Sequence, residues 1–120
     1  MLYFFKRLRQ RIIWSWVGLV DTWRGEHSFR SWVWANLISC ALALWLPLTT
    51  GERALILALG VLVLAAELMN TAIEHTVDYI STDRHELARR AKDAASAAVA
   101  ITAIAAGVAW GVVLVALLWP

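Results

Sequence analysis

Glu67, Asn70, Glu74 and Asp78 occupy the i, i+3, i+7 and i+11 places of the stretch ALILALGVLVLAAELMNTAIEHTVDYI, residues 54–80. At about 100° per helical residue they share one stripe of one helix. The first half of the stretch is apolar enough to lie in lipid. A charged carboxylate in hydrocarbon is costly, and such residues face a bundle interior and mark function. Three acids and an amide on one face, at membrane depth, are the makings of a metal and proton-transfer site. Glu67 is the deepest, at the end of the unbroken apolar run. An apolar setting makes a carboxylate bind a proton more tightly, which suits a base that takes one from a lipid hydroxyl. Glu74, two turns further on, is better placed for a divalent cation. Mg²⁺ takes one or two carboxylates and fills its remaining positions with water and substrate phosphates. Glu26, in the GEHSFR segment before the first long apolar run, could share that cation. Lys92 could neutralise the oxygens of a transferring phosphate, as lysines do elsewhere. Arg7 and His85 could contact a nucleotide.

Each of these residues has a plainer reading. Asp78 and Glu86 equally suit solvated helix positions, Asn70 a hydrogen bond between helices, and His75 a surface or packing role. Cys40, the one cysteine, lies in an apolar run and reads as a small hydrophobe. With no second cysteine, it says nothing of redox compartment.

The elements that must position these groups are helical and membrane-embedded. The chain has 120 residues, of which 61% are hydrophobic and 17% charged, with a mean hydropathy of +0.64. A soluble domain is nearer to half apolar. A net charge of +2 does not argue for nucleic acid. Residues 3–24 alternate Lys6, Arg7, Arg9 and Arg11 with a helical face of Tyr3, Phe4, Phe5, Leu8, Ile12, Trp16, Leu19 and Trp23. Cations interleaved with tryptophans predict an amphipathic helix lying in the membrane interface. Gly25 and the polar segment after it should break that helix. Three spans follow, at about 32–48, 54–74 and 94–119, with lengths suited to a hydrocarbon core of about 30 Å. The whole chain reads as a single integral-membrane domain, 1–120, with no cleavable signal peptide expected. Cations crowd the N-terminal segment and the connection holding Arg84, Arg89, Arg90 and Lys92, whereas the turn at 49–53 has only Arg53. The positive-inside rule therefore puts the N-terminus, that connection and the acidic stripe on the cytoplasmic side, where ATP is available. Small residues in the last span (Ala94, Ala95, Ala97, Ala98, Gly107, Gly111) favour close helix contact and oligomerisation.

ELMNTAIEHTVDYI, followed by HELARRAKDAASAAV at 85–99, closely resembles the signature of the small bacterial integral-membrane diacylglycerol kinases. That pattern reads E-x-x-N-[ST]-A-I-E-x-x-V-D, then H-x-x-x-x-x-A-K-D-x-x-[SA]-A-A-V. SWxGL at 15–19 and ExxFR at 26–30 extend the match over most of the chain. The resemblance implies an all-α homotrimer, each protomer an N-terminal surface helix plus three transmembrane helices, in the bacterial inner membrane. It implies transfer of the γ-phosphoryl of MgATP to a lipid alcohol. The family has no P-loop, and no GxxxxGK[ST] occurs here. By position, Glu67 would be the catalytic base, with Asn70 and Lys92 in the catalytic set. Glu26 and Glu74 would hold the metal. Arg7, Trp14, Asp83, His85, Lys92 and Asp93 would contact the nucleotide, although Trp14 stands where the family usually has Tyr or another aromatic, and Asp83 where it has Glu. Phe29, Arg30, Glu67 and Ser96 would contact the lipid. Val17 and Val20 replace residues that are often Lys and Arg, and Trp32 stands where some diacylglycerol-specific members have an acid.

The reading this favours is a diacylglycerol kinase making phosphatidic acid. A second keeps the enzyme class and takes undecaprenol, a long isoprenoid alcohol. A third, a small proton-coupled multidrug transporter, also uses a membrane-embedded glutamate, but those proteins usually have four spans and carry it in the first. A non-catalytic assembly subunit would leave Glu26, Glu74, Lys92 and Asp93 unexplained together.

Overall fold

The structure, a computed structural model, describes residues 1–120. It contains four helices and no strand: α1 (Leu2–Gly25), α2 (His27–Trp45), α3 (Thr50–Ile80) and α4 (Glu86–Leu118). Helices α3 and α4 are long and apolar enough to cross a membrane. At 1.5 Å per residue, the 31 residues of α3 reach about 46 Å, so it projects well beyond a core of about 30 Å. The acidic stripe occupies the C-terminal half of α3. Helix α2 has 19 residues, with His27, Ser28, Arg30, Ser31, Asn36 and Ser39 diluting its apolar character.

The break between α1 and α2 is narrower than the sequence suggests. A single extended residue, Glu26 (φ −111°, ψ 113°), makes the corner, and most of the polar segment belongs to α2. The Glu26 backbone N–H donates to Thr22 O at 2.8 Å. Arg30 Nη1 reaches back to donate to Trp23 O at 2.6 Å and Arg24 O at 3.2 Å, satisfying carbonyls left open at the end of α1. Gly25 adopts no positive φ. A polar side chain closing helix ends therefore makes this corner, where the sequence suggested a glycine break.

Pro47 ends α2, holding Leu46 extended (φ −72°, ψ 149°) as expected before a proline. Arg53 donates from Nε to Ala43 O at 2.8 Å and from Nη2 to Leu46 O at 3.3 Å. Thr49 opens α3 with a capping box: its hydroxyl accepts from the Glu52 N–H at 3.3 Å, and Glu52 Oε2 accepts from the Thr49 N–H at 2.8 Å. That backbone donor, and then the Thr49 hydroxyl, hold the Glu52 carboxyl below its ordinary value. A carboxyl with a lowered folded value stabilises the fold above the usual glutamate range and stops doing so as pH falls through it. Loss of the helix cap in Thr49→Ala should cost about 1 kcal/mol at neutral pH. Thermal unfolding in detergent should show that deficit shrinking below the usual glutamate range. A deficit independent of pH would exclude the bond from the Thr49 hydroxyl to the Glu52 carboxylate.

Helix α4 starts earlier than the expected span, at Glu86, so most of the charged connection is helical. His85 caps it, its Nδ1 accepting from the Leu87 N–H at 3.1 Å. Arg89 pairs with Glu86 at 2.6 Å and Asp93 at 2.5 Å along the first turns.

The bundle closes at the end away from the stripe, where Ala43, Leu48, Ile56, Ala109 and Val113 are buried together. Trp110 Nε1 donates to Ser39 Oγ at 2.8 Å, tying α4 to α2. Only 13 of 120 residues are buried, and the radius of gyration, 17.8 Å, exceeds the roughly 14 Å of a compact domain this long. Leu37, Ile38, Val61, Leu62, Ile101, Val108, Val112 and Val115 face outward. An exterior this apolar is suited to lipid or to other helices as its solvent. A Cβ added at Gly107 or Gly111 would meet nothing within the chain, so neither glycine is required for close packing inside one protomer.

Candidate active site

One face of α3 is buried along its length: Ile56, Gly60, Val63, Glu67 and Thr71. Glu67 thus takes an interior position by helical register, and it is only 3% exposed. Helix α2 begins early enough to lay its first turn over this carboxylate. There Ser28 donates from Oγ to Glu67 Oε1. The neighbouring Phe29, also buried, anchors that turn. The chain's four ion pairs lie elsewhere, so no cation neutralises Glu67. A buried carboxylate without a counter-ion, next to a hydroxyl, is equipped to accept a proton.

One turn on, Asn70 Nδ2 donates to Glu74 Oε1 at 3.2 Å. A carboxylate only accepts, so the amide must turn its NH₂ to Glu74 and leave its oxygen over. Asn70 Oδ1 is buried with no partner. Leaving such an acceptor unmet costs about 1–3 kcal/mol, which a cation, a water or a substrate donor would offset. Glu26, at the α1–α2 corner, pairs with His75 at 3.3 Å (Oε1 to Nε2), bringing the corner to the level of Glu74. No three or more His, Cys, Asp or Glu side chains converge on a closed cage. Glu74 and the orphaned oxygen of Asn70, with Glu26 held against the next residue, His75, are hard oxygen donors, a chemistry that fits Mg²⁺.

Asp78, the last of the stripe, takes Lys92 Nζ at 2.6 Å across to α4. Both line an open cleft of about 560 Å³ between the end of α3 and the start of α4, along with Ser81, Asp83, Arg84, His85 and Arg89. That volume falls within the range of small-molecule sites. Its wall carries three cations, Arg84, Arg89 and Lys92, beside the acids Asp78, Asp83 and Glu86, and Arg84 alone of the three cations makes no ion pair. Glu86, by its hydrogen bond, and Asp93, by its charge, hold the Arg89 guanidinium more firmly protonated than usual.

The structure therefore splits the residues singled out from sequence. Glu67, Asn70 and Glu74 line up on α3, with Glu26 facing from the corner. Asp83, His85 and Lys92 share the cleft with Asp78. Asp93 is turned to Arg89. Arg7 and Trp14 stand exposed on α1 and do not line the cleft; Arg7 lies 5.6 Å over the Tyr3 ring. Ser96 is exposed on α4, and Arg30 is occupied by the α1 carbonyls. Sequence reading missed Ser28, because no spacing within α3 points to a residue on another helix. It also left Arg84 in the general charge of the connection.

The family model for prokaryotic diacylglycerol kinase matches residues 13–114. A diacylglycerol kinase of Pseudomonas aeruginosa is 42% identical over 111 residues, covering 91% of this chain and 89% of that protein. One from Escherichia coli is 39% identical over 110 residues, covering 92% and 90%. One from Helicobacter pylori is 39% identical over 113 residues, covering 94% and 88%. With the family model covering residues 13–114 and relatives about 40% identical over nine-tenths of the chain, the chain belongs to the prokaryotic diacylglycerol kinase family.

Proposed function

We propose that this enzyme transfers the γ-phosphoryl of MgATP to the free hydroxyl of diacylglycerol, giving phosphatidic acid and ADP. The observation that carries this reading is Glu67, a buried carboxylate free of counter-ions and already hydrogen-bonded to a hydroxyl. Glu67 accepts the proton of the lipid alcohol as its oxygen forms the new bond to the γ-phosphorus. The bond between that phosphorus and the β–γ bridging oxygen breaks, and ADP leaves with the electron pair. Glu26 and Glu74 would hold Mg²⁺, which when bound supplies charge neutralisation to the phosphates. Lys92 exchanges Asp78 for phosphate oxygens, and the cleft of Asp83, Arg84 and His85 holds the nucleotide. Positioning and electrostatics supply most of the acceleration.

In this reading α2 is the third span beside α3 and α4, and α1 lies on the cytoplasmic surface of a bacterial inner membrane. The protein is a homotrimer whose sites combine residues of neighbouring protomers. Arg7 and Trp14, remote from their own cleft, are then available to a neighbour's nucleotide, and Ser96 and Phe29 to the lipid.

The test is reconstitution of purified protein in vesicles with MgATP and diacylglycerol or undecaprenol, in separate assays. Phosphorylated diacylglycerol is the expected product. Product from undecaprenol alone would reassign the acceptor, and product from neither would remove the kinase reading. Glu74→Gln should raise the Mg²⁺ concentration for half-maximal rate about tenfold or more. An unchanged metal dependence would take Glu74 out of the metal set.

A further inference from the structure

We infer that Ser28 is a positioning residue for Glu67, fixing which carboxylate oxygen receives the substrate proton. The inference rests on the reading of Glu67 as the base.

Glu67 offers two oxygens, and the chain treats them differently. Oε1 accepts from Ser28 Oγ. Oε2 has no hydrogen-bond partner, and yet the sole buried side-chain atom lacking a partner is Asn70 Oδ1. Oε2 therefore keeps contact with the exterior although the residue as a whole is 3% exposed. A carboxylate on a flexible two-carbon stem would otherwise rotate, presenting either oxygen in turn. Ser28 removes that freedom by engaging one oxygen from a different helix. Its own place is set by the Glu26 corner, where Arg30 clamps the last carbonyls of α1, and by buried Phe29 beside it. The corner thus does two tasks: it sets Glu26 against His75, and two residues later it pins the base. Ser28 is itself exposed, so it lies over Glu67 on the side from which an alcohol arrives. With Oε1 engaged, the incoming hydroxyl meets Oε2. A hydrogen bond to a charged partner that holds the reacting oxygen in line should appear in kcat and leave binding of either substrate unchanged.

Ser28→Ala and Ser28→Thr in the reconstituted full-length enzyme test this. Ser28→Ala should lower kcat about tenfold to a hundredfold with the KM values for lipid and MgATP unchanged. Ser28→Thr, which keeps the hydroxyl, should recover most of that loss. In the Glu67→Gln background, adding Ser28→Ala should cost little, because the group it acts through is gone. A readout independent of turnover is the infrared carboxylate band of Glu67, identified by subtracting the Glu67→Gln spectrum. Ser28→Ala should shift it and Ser28→Thr should restore it. An unshifted band, an unchanged kcat, a loss confined to KM, or an alanine effect as large without Glu67 would each overturn the proposal. So would phosphate found on Ser28 after incubation with MgATP, since the hydroxyl would then be an acceptor. If the wild-type protein phosphorylates neither lipid, the proposed reaction falls, while the infrared comparison still decides the Ser28–Glu67 link.

Discussion

Glu67→Gln is expected to cut lipid phosphorylation at least about a hundredfold while leaving the four helices in place. The substitution keeps the size and shape of the side chain and still offers Ser28 an oxygen to donate to. It removes the capacity to take up a proton. Positioned general bases contribute roughly 10²- to 10⁴-fold, so the residual rate should fall by at least the lower figure. Stability should hold or rise, because an acid that is 3% exposed with no cationic partner is costly to bury, and the amide removes the charge. The measurement pairs turnover in vesicles with thermal unfolding in detergent. A variant that keeps near-wild-type rate would end the assignment of Glu67 as base. One that loses rate and unfolds would show only that the position is structural.

The second large effect concerns a residue with no chemistry. Gly60 lies seven residues before Glu67 on the same buried face of α3. A Cβ built there would stand 2.0 Å from Asn36 Oδ1 and 3.1 Å from Asn36 Cγ on α2. Helices α2 and α3 therefore approach through a glycine, the usual device of membrane bundles, where small residues allow close packing in the absence of a hydrophobic drive between helices. Gly60→Ala can be met by swinging the Asn36 amide away, at about 1 kcal/mol. Gly60→Leu cannot: overpacking costs about 1–3 kcal/mol or more and must push α2 outward. Because Ser28 rides on α2, that displacement should also cost activity. The expected result is a lowered unfolding midpoint and loss of turnover for Gly60→Leu, with Asn36→Ala rescuing Gly60→Ala. A Gly60→Leu protein as stable and active as wild type would show that the helices do not meet here.

The two positions differ in how well they could be read beforehand. Glu67 stands out in the sequence because one acid ends a run of aliphatic residues, and its neighbours on the stripe follow from helical spacing alone. The N-terminal amphipathic helix is legible for the same reason: its cations and aromatics repeat at the helical period, and α1 spans Leu2–Gly25 accordingly. Gly60 is just one small residue in an apolar run, and nothing local marks it. The corner at Glu26 was legible only as a break, since Arg30 capping the carbonyls of α1 is a contact formed after the chain has turned. Asp78 is a further case. Its place on the stripe comes from spacing, but its partner Lys92 lies fourteen residues away on α4.

What the sequence determined by itself is therefore whatever one helix encodes: the apolar lengths of α3 and α4, the amphipathic face of α1, and the order Glu67, Asn70, Glu74, Asp78 along a single stripe. Periodicity is a local property, and its physical basis is the fixed rise and rotation of each residue. What only the tertiary structure decided is which of these groups are paired and which are left free. Ser28 on Glu67, His75 on Glu26, Lys92 on Asp78 and the orphaned oxygen of Asn70 all depend on how helices meet. That meeting is set by a glycine against an amide, by an arginine closing a helix end and by a tryptophan reaching a serine. These contacts join residues that share no period.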